Sequence, residues 1–295
     1  MSFSRRRGSS LTKRCFWIPA FAGMTNSAIT KNNKMINNYL KRQVIYIGEL
    51  GAFFLLIFKT FFTFHFINPF SFRQIMRQFY FTAVMATLFA SILSIFLGAV
   101  TIFESLTFSS HFGVSEFVSR ILVVIIIREL GPLFIALIII GRSGTAIATE
   151  LGNMKVNGEI DFLEDQGVDP IDFIVLPRVI SVALATFSLA IYFSFIAVLG
   201  GVFVSHIVLS IPLSDLIHEV LNALYINDII INMAKGILFG GTIAVVSAFN
   251  GLSIKRSSIY VPQATTKSVV EAIMICFLID GIIAILTFDS SMLEI

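Results

Sequence analysis

Charge is scarce in this chain: only 13% of its 295 residues are Asp, Glu, Lys or Arg, against 56% hydrophobic. A soluble interior cannot hide that much apolar side chain, and a mean hydropathy of +0.90 leaves the excess to face lipid. The formal net charge is only +3 and the basic residues fall between apolar runs, which excludes a nucleic-acid partner. Cysteine is almost missing. Cys15 lies in a polar tail and Cys276 in a late apolar run, a number and spacing that exclude a disulfide framework. The four histidines, His65, His111, His206 and His218, are scattered over separate segments, so no metal is expected. No nucleophile motif is present either, since Gly141-Arg142-Ser143-Gly144 departs from the G-x-S-x-G elbow.

What is abundant is apolar sequence long enough to cross a bilayer, for which a helix needs about 20 residues. The run from Phe79 to Phe103 has no charge at all, and further runs cover Ile121 to Gly141, Val179 to Ser205, Ile229 to Ile254 and Ala272 to Phe288. Five crossings in an all-α polytopic membrane protein are expected. Gln43 to Ile67 is also rich in Phe and Ile, but Glu49, Lys59 and His65 interrupt it and Pro69 follows. Charge bias decides its reading, because Lys and Arg collect in cytoplasmic loops. Arg73 and Arg77 precede the first run, Arg142, Lys155 and Arg178 follow the second, and Lys255, Arg256 and Lys267 follow the fourth. The alternate loops carry Glu104, His111, Glu116 and Arg120, then Asp215, His218, Glu219 and Asp228. This alternation puts the N-terminus inside and the C-terminus outside, and a sixth crossing would break it. Residues 43–67 are therefore expected to lie along the membrane surface.

The first residues resemble a secretory signal: Arg5, Arg6, Arg7, Lys13 and Arg14 precede an apolar stretch, Cys15 to Met24, with an Ala20-Phe21-Ala22 cleavage pattern. Cleavage there would set Lys41, Arg42, Arg73 and Arg77 outside, against the bias of every later loop. Residues 1–38 are expected to be a disordered or separate extension outside the domain of residues 39–295, with Met35 as the working start.

The polar centre of the chain runs from Glu150 to Pro170. Leu151, Met154, Ile160, Leu163 and Val168 recur at spacings that suit one apolar side of a docking helix, with Glu159, Asp161, Glu164 and Asp165 elsewhere. Gly167 supplies a stop, and Pro170 disfavours helix at Asp169, so the chain turns back there. Arg128 and Glu129 fall inside the second run, where charges must be paired, and Lys235 and Asp280 are the only comparably placed partners. Because sequence neighbours diverge on a helix, Arg128 and Glu129 are each expected to pair elsewhere. Gly144, Ala148 and Gly152 recur every four residues, as do Gly236 and Gly240, which points to close helix packing, a dimer seam or a moving contact. The 31 phenylalanines are mostly lipid-facing filler, some of them lining for acyl chains.

Taken in order, Arg128-Glu129-Leu130-Gly131-Pro132, Gly141-Arg142-Ser143-Gly144, Glu150-Leu151-Gly152, Gly167-Val168-Asp169-Pro170 and Leu176-Pro177-Arg178 resemble the MlaE (YrbE) family of ABC permeases. The likeness continues through Lys235 with Phe239-Gly240, Asn250-Gly251, Ala264-Thr265-Thr266 and Val269-Val270 to Asp280, covering roughly Tyr39 to Phe288. It implies a homodimeric permease of the cell inner membrane that moves phospholipid between inner and outer membranes. It further implies a separate cytoplasmic ABC ATPase and a periplasmic substrate-binding protein with an MCE domain. The segment from Glu150 to Gly167 would be the coupling helix, with Glu150, Gly152, Glu159, Glu164, Gly167, Asp169 and Pro170 as its marked residues. The chain has no G-x-x-x-x-G-K-[ST] phosphate loop, so no cofactor of its own is expected and ATP would be bound by the partner. Ser258 to Gln263 departs from the family's glycine-rich pattern, and Pro262 leaves open where the fifth helix begins.

A rival reading is a secondary transporter or channel that uses Arg128, Glu129, Lys235 and Asp280 as an ion path and needs no ATPase. An intramembrane enzyme is disfavoured by the missing nucleophile or metal set. N-terminal peptide analysis of the purified protein is expected to find Met35 at the start; a peptide beginning near Met1 would reject that start.

Overall fold

The structure, a computed structural model, describes residues 41, 44–61, 69–112, 125–209, 212, 214, 217–218 and 226–291. Among the described residues every regular element is a helix. The expected extension, residues 1–38, the Ala20-Phe21-Ala22 pattern, and Glu116, Arg120, Asp215 and Glu219 lie outside them. The chain divides into two compact units, Met1–Ala52 and Phe53–Ile295.

Helix α1 covers Val44–Phe61. Its 18 residues, about 27 Å of helix, are apolar enough to cross a membrane, so six helices meet that standard and not five. Glu49 and Lys59 do not break it because both are exposed and leave the apolar faces intact. The others are α2 (Pro69–Phe112), α3, α5, α6 (Ile226–Leu252) and α7 (Tyr260–Ser291). Helix α3 is a continuous run of four segments: a π turn Ile125–Leu130, α-helix Gly131–Ile139, a second π turn Ile140–Gly144 and α-helix Thr145–Val156. Helix α5 opens with a π turn, Ile171–Val175, and continues as Leu176–Leu209. Between them lies the short α4 (Glu159–Asp165).

The described part of each expected apolar run falls on one of these helices, and of the boundaries that move two bear on the charged residues. Helix α3 continues past Gly141 to Val156, because Ile147, Ala148 and Leu151 stay buried although the sequence turns polar. Arg142 therefore lies inside a helix and not in a loop. Helix α7 starts at Tyr260, twelve residues before the expected Ala272, with Pro262 in its first turn. A proline is tolerated there because the first turn's N–H groups have no helical partner.

Helix α6 is the centre of the bundle, and small residues let its neighbours close on it. An added Cβ at Gly236 would stand 3.0 Å from Phe187 Cα of α5, and one at Gly240 would stand 2.7 Å from Ala183 Cα and Val182 O. On the α3 side, Gly144 faces Ser247 Oγ and Ile243, Gly251 faces the Ala148 carbonyl, and Gly152 faces Ile254 and Val261. Helices α2 and α5 run parallel: the Ser91 and Tyr192 hydroxyls share a hydrogen bond of 2.8 Å, and Gly98 abuts the Ala197 backbone. Hydroxyl pairs close the remaining seams, Ser268 with Ser247 and Thr149 with Thr265, each at 3.0 Å. These bonds satisfy polar groups that lipid cannot.

Gly240→Ala is expected to lower stability by roughly 1–3 kcal/mol through overpacking, whereas Gly241→Ala, whose Cβ meets nothing within 4 Å, should be neutral. Thermal unfolding of the purified protein in detergent reads the difference; equal midpoints would contradict the close α5–α6 approach.

Candidate functional site

Five charged side chains meet inside the bundle. The first π turn of α3 carries Arg128 and Glu129, and widening of the helix there lets these neighbours converge, with Arg128 Nε 3.4 Å from Glu129 Oε1. The expectation that they pair only elsewhere is thus corrected. Lys235 of α6, 0% exposed, reaches Glu129 Oε2 at 2.5 Å and Asp280 Oδ1 of α7 at 2.8 Å. Arg128 also approaches Asp228 Oδ1 at 3.7 Å. Glu129 bridges the two cations through its two oxygens, so one carboxylate joins α3 to α6.

Sequence reasoning assigned Asp228 to an outer loop because it sits at the edge of an apolar run. It is buried in the first turn of α6, where the helix N-terminus favours an anion. Asp228, Asn232 and Lys235 recur at i, i+4 and i+7, a one-face spacing that was legible. Asn232 donates to Ser194 Oγ at 2.6 Å and extends the polar face to α5. Glu271 was also missed; it accepts from Asn250 Nδ2 at 2.7 Å and pairs with Lys267 at 3.6 Å.

At the opposite end of α6 the basic loops gather. The segment from Glu150 to Gly167 is not one docking helix: α3 ends at Val156, and Gly158, at φ 77°, turns the chain before α4. Gly167, also at φ 77°, ends α4 with the paired bonds Val168 N–H to Leu163 O and Gly167 N–H to Glu164 O. Asp169 is non-helical before Pro170 and caps the next turn by accepting from the Ile171 N–H at 2.8 Å. Within α4, Asp161 binds Lys155 of α3 at 3.1 Å and also pairs with Arg256 from the α6–α7 connection. Glu150 binds Arg178 of α5 at 2.8 Å. Glu159, Glu164, Asp165 and Phe162 are exposed. Beneath them opens a cleft of about 670 Å³, lined among others by Gln74, Met154, Glu159, Phe162, Phe173 and Arg178. Among the described residues no cluster is suited to hold a metal.

Residues 75–286 match the family described as Permease MlaE, a stretch that contains both the charge network and the jointed basic end. A probable ABC transporter permease protein of Rickettsia typhi is 30% identical, over 75% of this chain and 85% of its own length. A probable ABC transporter permease protein of Synechocystis is 29% identical over 61% of this chain and 69% of its own. Arabidopsis thaliana contributes the chloroplastic protein TRIGALACTOSYLDIACYLGLYCEROL 1, 28% identical over 67% of this chain and 57% of the plant protein.

Lys235→Met leaves the Glu129 and Asp280 carboxylates without their shared cation, and a loss of roughly 3–5 kcal/mol is expected. Adding Asp280→Asn should recover part of it. A double-mutant cycle on detergent unfolding checks this, and a single variant as stable as the parent would show that the network does not hold the bundle.

Proposed function

The chain belongs to the MlaE permease family of ABC transporter permeases, and from that premise we propose that it is the membrane subunit of an intermembrane phospholipid transporter. Two copies enclose the lipid path in a cell inner membrane. A separate cytoplasmic ABC ATPase supplies the work, and a periplasmic protein with an MCE domain exchanges lipid on the other side. The Lys- and Arg-rich end faces the cytoplasm and the C-terminus the periplasm, following the loop charges. Helix α1 lies along the cytoplasmic surface; in support, the Phe53 ring meets Phe249 near the basic end of α6, 5.5 Å between centroids.

One observation carries the reading: Asp161 of α4 is tied to both α3 and the α6–α7 connection, while Glu150 of α3 is tied to α5. A push on α4 therefore reaches the cytoplasmic ends of three further segments at once. The exposed face of α4, with Glu159, Phe162, Glu164 and Asp165, is what the ATPase grips. Lipid tails lie against apolar walls, and the paired charges of the network keep that interior affordable without an ion flux.

Charge reversal at Glu159, Glu164 and Asp165 together should weaken association with the ATPase by about tenfold or more, because like charges then face the same partner surface. Asp161 is left intact to preserve the fold. Co-purification and the dissociation constant read the effect, and undiminished assembly rejects the coupling role of α4. Phospholipid transfer between vesicles is expected only with the ATPase and ATP present; flux from the isolated permease would support the secondary-transporter reading instead.

A further inference from the structure

Arg142 stands on the second π turn of α3, eight residues before Glu150 and hence about 12 Å inside the layer of ion pairs at the basic end. Its guanidinium reaches α2, where one amino group donates to the Met85 carbonyl oxygen at 2.7 Å and the other lies against the Met85 sulfur. Met85 is itself eight residues, again about 12 Å, along α2 from Arg77. Both helices therefore set this cation at the same depth, within apolar spans.

A guanidinium carries five N–H donors, and neither acceptor it has found is an anion. The other four charges of α3, Arg128, Glu129, Glu150 and Lys155, are all ion-paired. Arg142 has no carboxylate within pairing distance among the described residues, and it is only half-buried. A half-buried cation at this depth, with no carboxylate beside it, calls for an anion from outside the chain. The space for one exists, because a Cβ added at neighbouring Gly141 would meet nothing within 4 Å. Beyond Met85, α2 presents Leu88, Phe89 and Ile92 outward, an apolar stripe that leads from the guanidinium toward the middle of the span.

We propose that Arg142 is the phosphate anchor of a phospholipid site between α2 and α3, with the acyl chains lying along Leu88, Phe89 and Ile92. The planar fork binds two oxygens of the phosphodiester while Met85 holds its far side. The site deepens the lipid-transport reading and rests on it for its purpose, but it is tested by equilibrium binding without nucleotide or ATPase.

The full chain in detergent is titrated by native mass spectrometry with dioleoylphosphatidylglycerol, with dioleoylglycerol, and with inorganic phosphate as competitor. The parent protein should bind the phospholipid about tenfold more tightly than the diacylglycerol, as expected for charge-assisted bonds to a phosphate. Arg142→Gln should erase that preference and leave diacylglycerol binding unchanged. Arg142→Lys, which keeps the cation and loses the fork, should retain only part of it and serves if the glutamine variant cannot be purified. A preference unchanged in either variant, or absent from the parent, overturns the site. Displacement of the lipid by equimolar inorganic phosphate overturns it as well, by making it a free-anion site. Arg142→Gln should still assemble with the ATPase, so a failed lipid site and a failed permease reading give different results.

Discussion

The burial of one ammonium group organises this molecule. Lys235 has no exposure to solvent, so α6 is stable at the centre of the bundle only while Glu129 and Asp280 stand beside it. That requirement fixes the rotation of α3 and α7 about α6, since each must aim its carboxylate inward at the same height. The π turn at Ile125–Leu130 follows from the same demand. It lets Glu129 face Lys235 while Arg128, next in the chain, faces Asp228. In a low-dielectric interior such a network holds when all its members are present and fails when one is missing.

Small residues complete what the charges begin. Gly236 and Gly240 bring α5 against one side of α6, and Gly144, Ala148 and Gly251 bring α3 against another. The result is a bundle whose inner contacts are backbone-close, while large apolar side chains such as Leu88, Phe195 and Leu286 point outward. Lipid offers helices no hydrophobic reason to associate, so close packing and internal hydrogen bonds carry the assembly.

Much of this was legible in the sequence. The uncharged stretch from Phe79 to Phe103 could be nothing but a span, and Pro170 and Gly167 mark their turns by backbone chemistry alone. Lys235, Glu129 and Asp280 stood out because charges in apolar runs demand partners. Other features were hidden for physical reasons. Loop charge counting treats every Arg as a boundary, so Arg142 appeared to end the second span, although α3 runs on beneath a polar-looking surface to Val156. The pairing of Arg128 with Glu129 depends on a π turn, which has no signature in hydrophobic period. The joint at Gly158 was missed because the apolar spacing across it suited a single helix.

The two left-handed glycines, Gly158 and Gly167, bracket a rod of seven residues. Its ties to the rest of the protein include the ion pairs of Asp161 with Lys155 and Arg256, which join the rod to α3 and to the α6–α7 connection. A side chain at either glycine would strain the left-handed turn. Among the described residues these are the two glycines at positive φ, and both lie outside the apolar spans.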